Sequence, residues 1–178
     1  MKEQELIRKC IKGNRKAQNE LYTHYKDSLY FLSLKYSRNA AEAEDNLHDS
    51  FVTIFQKIKT YKNKGSFEGW MKRITINKAI DKYKEKRPAA VEIIDDILED
   101  TSIEEDLFEL PLETFLKAIQ ELPDQYRLVF NLYQMDGYSH KEVAQLLEIS
   151  EGTSKSNFHR AKILLREKLI RLTTASRL

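Results

Sequence analysis

A single cysteine among 178 residues excludes an internal disulfide, and no Cys/His spacing spells a zinc site. Glycine (5) and proline (3) are scarce. A chain so poor in turn formers is not assembled from many short strands, so a β-sandwich or barrel is excluded. Charges break every apolar run well short of the ~20 residues that a spanning helix needs, which argues against membrane insertion. The start, Met1-Lys2-Glu3-Gln4-Glu5, has no apolar stretch of the signal-peptide kind. No Gly-rich phosphate loop and no nucleophile motif is present. Asp45-Asn-Leu-His48 has the carboxylate-x-x-His spacing of a di-iron bundle, but His24, His140 and His159 provide no second copy of it. These absences predict a reduced, cytoplasmic, all-α protein that is not an enzyme and carries no metal or cofactor.

The net charge of +2 conceals three unlike parts. Residues 1–87 hold 20 basic and 11 acidic residues, 88–112 hold nine acids and no base, and 113–178 hold 10 and 8. The basic excess concentrates at 57–87 (11 against 3) and at 151–178 (7 against 2). Two basic segments on one small protein suggest two contacts with a polyanion, the plain alternative being two solvated helix faces. The acidic stretch has Pro88 and Pro111 near its ends, and its like charges extend it. The expected layout is a helical domain at 1–87, an acidic linker at 88–112 and a second helical domain at 113–178.

Helical periodicity runs through 16–38, with Leu21, Tyr22, Tyr25, Leu29, Leu32 and Tyr36 on one stripe. A second helix is expected over 40–58, with Leu47, Phe51, Ile54, Phe55 and Ile58 inward. At about 100° per residue, Glu42, Asp45, Asp49, Thr53 and Gln56 fall on the opposite, acidic face. A third helix spans 67–86 and follows a basic loop, Lys59-Thr-Tyr-Lys-Asn-Lys-Gly-Ser66. A short helix around 6–11 precedes them.

Beyond the linker, 114–121 and 123–135 read as helices, with Pro123 in a first turn and Gly137 at a chain reversal. Ser139-His-Lys-Glu142 is a capping box. The helix it opens carries Val143, Ala144 and Leu147; Glu148-Ile149-Ser150 is a tight turn, and Ser150 caps a last helix from 151 to about 172. A short helix, a tight turn and a basic second helix make a helix-turn-helix, which ordinary helical hairpins imitate. On the second helix Ser154, Phe158, Ala161 and Leu165 face inward. Gly152, Thr153, Ser156, His159 and Arg160 face outward, with Lys155 and Lys162 on the flank. That outward surface suits DNA: Arg160 can bind guanine bidentately, and Thr153, Ser156 and the lysines can meet base edges or phosphates. For His159 simple solvent exposure is the alternative.

Two motif sets carry a family resemblance. Asp45-Asn-Leu-His-Asp-Ser-Phe51 and Gly65-Ser-Phe-Glu-Gly-Trp-Met-Lys-Arg-Ile-Thr-Ile-Asn77 resemble domain two of a bacterial RNA polymerase sigma factor. Leu122-Pro-Asp-Gln-Tyr-Arg-Leu-Val-Phe130, Gly137-Tyr-Ser-His-Lys-Glu-Val-Ala144, Ser150-Glu-Gly-Thr-Ser-Lys-Ser156 and His159-Arg-Ala-Lys162 resemble domain four. The two joined by a short linker resemble the extracytoplasmic-function class. The resemblance implies an initiation factor that directs core RNA polymerase to promoters and helps open the duplex. It implies that Asp45, His48 and Asp49 bind the polymerase clamp helices, His48 standing where the family commonly has Gln. It implies that the loop with Tyr61, Lys62, Asn63 and Lys64 takes a flipped base of the minus-ten element, beside Lys72, Arg73 and Asn77. Tyr61 is the candidate aromatic platform, whereas Phe67 and Trp70 read as core. The last helix, with Thr153, Lys155, Ser156, His159, Arg160 and Lys162, would read the minus-thirty-five element; Asn157-Phe158 replace the commoner Arg-Leu. Implied partners are core RNA polymerase, promoter DNA and an anti-sigma factor, the protein being monomeric when free. A stand-alone helix-turn-helix regulator is the rival reading, but it leaves the basic loop and the acidic face of the first domain without a role.

Overall fold

A computed structural model describes residues 3–86 and 111–175 of the chain, and all regular structure among them is helical. The expected acidic linker, apart from Pro111 and Leu112, lies outside the described residues. The chain divides into two compact units, Met1–Asp81 and Lys82–Leu178.

The first unit begins with α1 (Glu3–Ile11), α2 (Arg15–Tyr36) and α3 (Ala40–Lys57). A 3-10 turn, Ile58–Thr60, and a loop then lead into α4 (Phe67–Lys86). Gly13, at φ +76°, reverses the chain after α1. Asn14 then caps α2 by accepting from the Ala17 N–H at 3.0 Å. Asn39 does the same for α3 through the Glu42 N–H, and the Glu42 carboxylate returns to the Arg38 N–H at 3.1 Å. One apolar core unites Leu6, Ile7 and Cys10 of α1 with Leu21, Tyr25 and Leu29 of α2, Phe51 and Ile54 of α3, and Phe67 and Met71 of α4.

A polar seam crosses this unit. The Asn46 side-chain amide donates to Ser33 Oγ and to the Thr75 carbonyl, both at 3.2 Å, tying α3 to α2 and α4. Here the structure corrects an expectation: Thr53 lies inward, not on the outer face of α3. Its hydroxyl is satisfied by donating to the Asp49 carbonyl at 2.9 Å, so burial leaves no orphaned group. The buried arc of α3 also takes in Ala43, Asn46 and Ser50, which makes it wider than its large apolar residues indicate.

The second unit comprises α5 (Leu112–Gln120), α6 (Asp124–Phe130), a π-helical turn at Asn131–Met135, α7 (His140–Leu147) and α8 (Glu151–Ala175). Phe115, Ala118 and Ile119 of α5, Phe130 of α6, and Ala161, Leu165 and Leu169 of α8 form its core. Arg127 is buried and its guanidinium donates to the Gln120 and Leu122 carbonyls at 3.1 and 2.7 Å, while pairing with Asp124. A cation thus satisfies carbonyls that the end of α5 leaves without helical partners. Pro123 precedes α6 as its cap rather than occupying its first turn. The single helix expected over 123–135 divides at Asn131, where backbone bonding widens to the π pattern. The Asp136 N–H then donates to Asn131 and the Tyr138 N–H to Leu132, each at 2.9 Å, and Gly137 turns the chain at φ +76°.

Candidate nucleic-acid interface

In the second unit the capping box forms as its sequence dictates. The Glu142 N–H donates to Ser139 Oγ at 3.3 Å, and the Ser139 N–H donates to the Glu142 carboxylate at 2.8 Å. Glu148 ends α7 in the left-handed region at φ 56°. Ser150 Oγ then accepts from the Thr153 N–H at 2.9 Å and opens α8. The geometry is a helix-turn-helix whose second helix exposes a polar, basic surface near its N-terminal end.

Lys155 is exposed there, 2.9 Å from Glu151 one turn back; Ser156, His159, Arg160 and Lys162 are half-buried. Thr153 does not join them. It is 7% exposed, and its hydroxyl shares a 2.8 Å hydrogen bond with Ser150 Oγ, so it serves the start of the helix instead of facing outward. Asn157 is buried as well, and Phe158, expected inward, is half-buried. The aromatic edge of Phe158 lies in a cluster that sequence spacing does not reveal. His140 stacks on Tyr133 at 3.9 Å and 13°, Phe158 approaches both rings, and Lys162 Nζ sits 5.2 Å from the Phe158 ring centre. His140 Nδ1 lies 2.9 Å from Ser154 Oγ. Burial, and after it the positive charge of Lys155, hold the His140 imidazole below its ordinary pKa and so favour its neutral form.

In the first unit the basic loop exposes Lys62, Asn63 and Lys64. Asn63 and Gly65 both take positive φ, 54° and 80°, which bends the loop outward. Its base is closed by the Tyr61 hydroxyl donating to the Gly65 carbonyl at 2.8 Å. Tyr61 is only half-buried, but it is no free-standing platform: its ring packs on Phe67 at 5.1 Å and on Trp70 at 5.6 Å. Phe67 is 0% exposed and belongs to the core, while Trp70 is half-buried against it, so the aromatic floor below the loop is a three-ring group. On α4, Arg73 and Asn77 are exposed; Lys72 is half-buried and 2.8 Å from Glu68.

On α3, Glu44, Asp45 and His48 are exposed and Asp49 is half-buried. Beside them runs a groove between α2 and α3, lined by Tyr22, Tyr30, Leu47 and Phe51 together with Lys26, Asp27, Glu44 and His48. Sequence periodicity put Tyr22 in the core, yet it is 39% exposed and its ring leans on Phe51 at 4.7 Å. Among the described residues no helix is long and apolar enough to cross a membrane, and no group of His, Cys, Asp and Glu could hold a metal ion.

Two family models match separate stretches of the chain. The Sigma-70 region 2 family model matches residues 21–88, and the Sigma-70 region 4 model matches 112–165. The ECF RNA polymerase sigma factor SigW of Bacillus subtilis is 30% identical over 176 residues, spanning 92% of this chain and 94% of its own. The ECF RNA polymerase sigma-E factor of Haemophilus influenzae is 24% identical over 181 residues, spanning 94% of this chain and 95% of its own. Among solved structures, the sigma factor RpoE of Bartonella quintana, in complex with the anti-sigma factor NepR, matches with a TM-score of 0.51 at 20% identity. That alignment spans 85% of this chain and 95% of that one, a likeness of fold.

Proposed function

The chain belongs to the ECF class of RNA polymerase sigma factors, which act in transcription initiation, and from that premise we propose a division of labour among its surfaces. The face of α3 with Asp45, His48 and Asp49, together with the adjoining groove, docks on core RNA polymerase. The loop Lys62–Lys64, over the floor of Tyr61, Phe67 and Trp70, engages the minus-ten element with Lys72, Arg73 and Asn77, and helps open the duplex. The reading helix α8 engages the minus-thirty-five element in the major groove through Lys155, Ser156, His159, Arg160 and Lys162. Thr153 acts only by capping. The protein works in the cytoplasm, performs no bond chemistry, is monomeric when free, and is held in reserve by binding an anti-sigma partner.

The observation that carries this reading is that each unit exposes its own basic element on a rigid support. The loop stands on a closed aromatic base, and the reading helix stands behind a complete capping box. Cation-rich elements of this kind contact phosphate, and the side chains between them contact bases. A stand-alone regulator would use only the second unit, whereas the acidic face and groove of α3 fit a protein partner.

Run-off transcription across genomic DNA with core polymerase tests it. The protein should direct initiation at a discrete set of start sites that share a two-part upstream sequence. Failure to associate with core polymerase, with DNA binding intact, would favour the stand-alone regulator. The same assay tests the acidic segment 88–112, whose charge suits a basic polymerase channel. Neutralising Asp95, Asp96, Glu99, Asp100, Glu104, Glu105 and Asp106 should change the yield of short abortive transcripts and tighten nonspecific DNA binding by the free protein; no change in either reduces the segment to a tether.

A further inference from the structure

The helix-turn-helix holds a group of rings that neither its capping nor its outward polar surface requires. Tyr133 comes from the π-helical turn, His140 is the first residue of α7, and Phe158 lies about two turns into α8. Tyr133 and His140 stack nearly parallel at 3.9 Å. Phe158 meets Tyr133 at 4.7 Å and 59° and His140 at 5.8 Å and 61°, the tilted arrangement that ring quadrupoles favour. Phe130 of α6 backs the Phe158 ring at 6.0 Å and 23°. His140 adds a polar tie to α8, with Nδ1 2.9 Å from the buried Ser154 Oγ. Lys162 Nζ lies over the Phe158 ring, 5.2 Å from its centre, within cation–π range.

These contacts form a chain from the turn, through the first helix, to a cation on the flank of the reading helix. The π widening at Asn131–Met135 belongs to that chain, since it changes the phase at which Tyr133 leaves the helix. Lysine side chains have many rotamers, and a ring that holds one over its face lowers the ordering cost of a phosphate contact.

We propose that Tyr133, His140 and Phe158 are positioning residues for DNA binding: a ring clasp that fixes the reading helix against its partner helix and presents the Lys162 ammonium to the DNA backbone. This deepens the reading of α8 as a DNA-binding helix and rests on it. The clasp contacts no base itself. Its effect passes through Lys162 and through the pitch of α8, so it governs phosphate contacts and register rather than the identity of one base pair.

The test is binding of the full-length protein to a mixed-sequence DNA duplex, followed by anisotropy over a range of salt concentrations. Lys162→Ala should weaken binding and lower the salt slope by about 1, the loss of one phosphate contact. Phe158→Leu keeps apolar bulk but removes the ring, and should reproduce most of that change. Combined with Lys162→Ala it should add little, because both act on one contact. Phe158→Tyr retains a ring and should bind like the parent protein. Tyr133→Leu, which has no contact with the cation, supplies a second route to the same loss if Phe158→Leu does not give a cooperative melt. A parental affinity and slope in both leucine variants, or strictly additive losses in the double variant, overturns the proposal. Lys155→Ala and Arg160→Ala, measured alongside, separate the two levels. If they weaken binding while the leucine variants do not, the clasp alone fails. If none of these substitutions changes binding, the DNA-binding reading of α8 fails with it.

Discussion

At the scale of single residues, the side chains of α8 divide by what they can touch. Arg160 lies half-buried on the outward side and has the fork geometry for a guanine edge. Arg160→Ala should cost about 1–3 kcal/mol in promoter binding and relax the preference at one base pair. Lys155 is exposed, so Lys155→Ala should weaken binding evenly across sequences. Competition between promoter variants and random duplex distinguishes these two outcomes. His140 carries a pH dependence of its own. Its folded pKa lies below the ordinary 6.5, first through burial, then through Lys155, with Glu151 opposing. The unfolded chain therefore binds the proton more readily, and this contribution to stability is complete above pH 6.5. It is lost as pH falls below 6.5 through the depressed folded value. His140→Phe, which keeps a ring for Tyr133, should flatten the change in melting temperature across that window. A wild-type slope in the variant would assign the dependence to another group.

At the scale of elements, α3 divides sharply between a buried and a solvent-facing arc. Its inner arc carries Leu47, Phe51 and Ile54 and the small polar residues of the seam; its outer arc carries Glu44, Asp45 and His48. Asp45→Lys alters only solvent-facing charge, so stability should stay within about 0.5 kcal/mol while association with core polymerase is lost. Asp49 is half-buried and stands one turn before Thr53, which donates to its carbonyl. Asp49→Lys should therefore destabilise the first unit as well as weaken association. Thermal melts beside a polymerase pull-down check both. A folded Asp45→Lys variant that still associates normally removes this face from the interface.

At the scale of the whole molecule, each unit holds a core cluster of its own. Leu21 and Leu165 are each fully buried, one in each core. Leu21→Ala and Leu165→Ala should each cost about 2–5 kcal/mol, and hydrogen exchange should show the loss confined to the unit that holds the cavity. Exchange that rises throughout the chain in either variant would show the units to be energetically coupled. The amino-acid sequence determined the all-helical class, most of the helices and the two-part organisation. These follow from local causes: apolar residues at helical spacing, Ser139 and Ser150 before helix starts, Gly137 at a reversal, and a run of acids between two charge-rich parts. The helix-turn-helix and its basic surface were legible for the same reason, as were the motifs that carry the family. What only the tertiary structure decided is how wide each buried arc is and which rings meet. Thr53 and Thr153 are polar, so helical spacing turned them outward. They are buried because close-packed neighbours and nearby backbone or hydroxyl groups accommodate small polar side chains that periodicity does not count. Tyr22 went the other way, because α2 and α3 part at the groove and leave its ring to lean on Phe51 from outside. The clasp of Tyr133, His140 and Phe158 joins three elements through contacts remote in sequence, and nothing short of the packed fold brings those rings together.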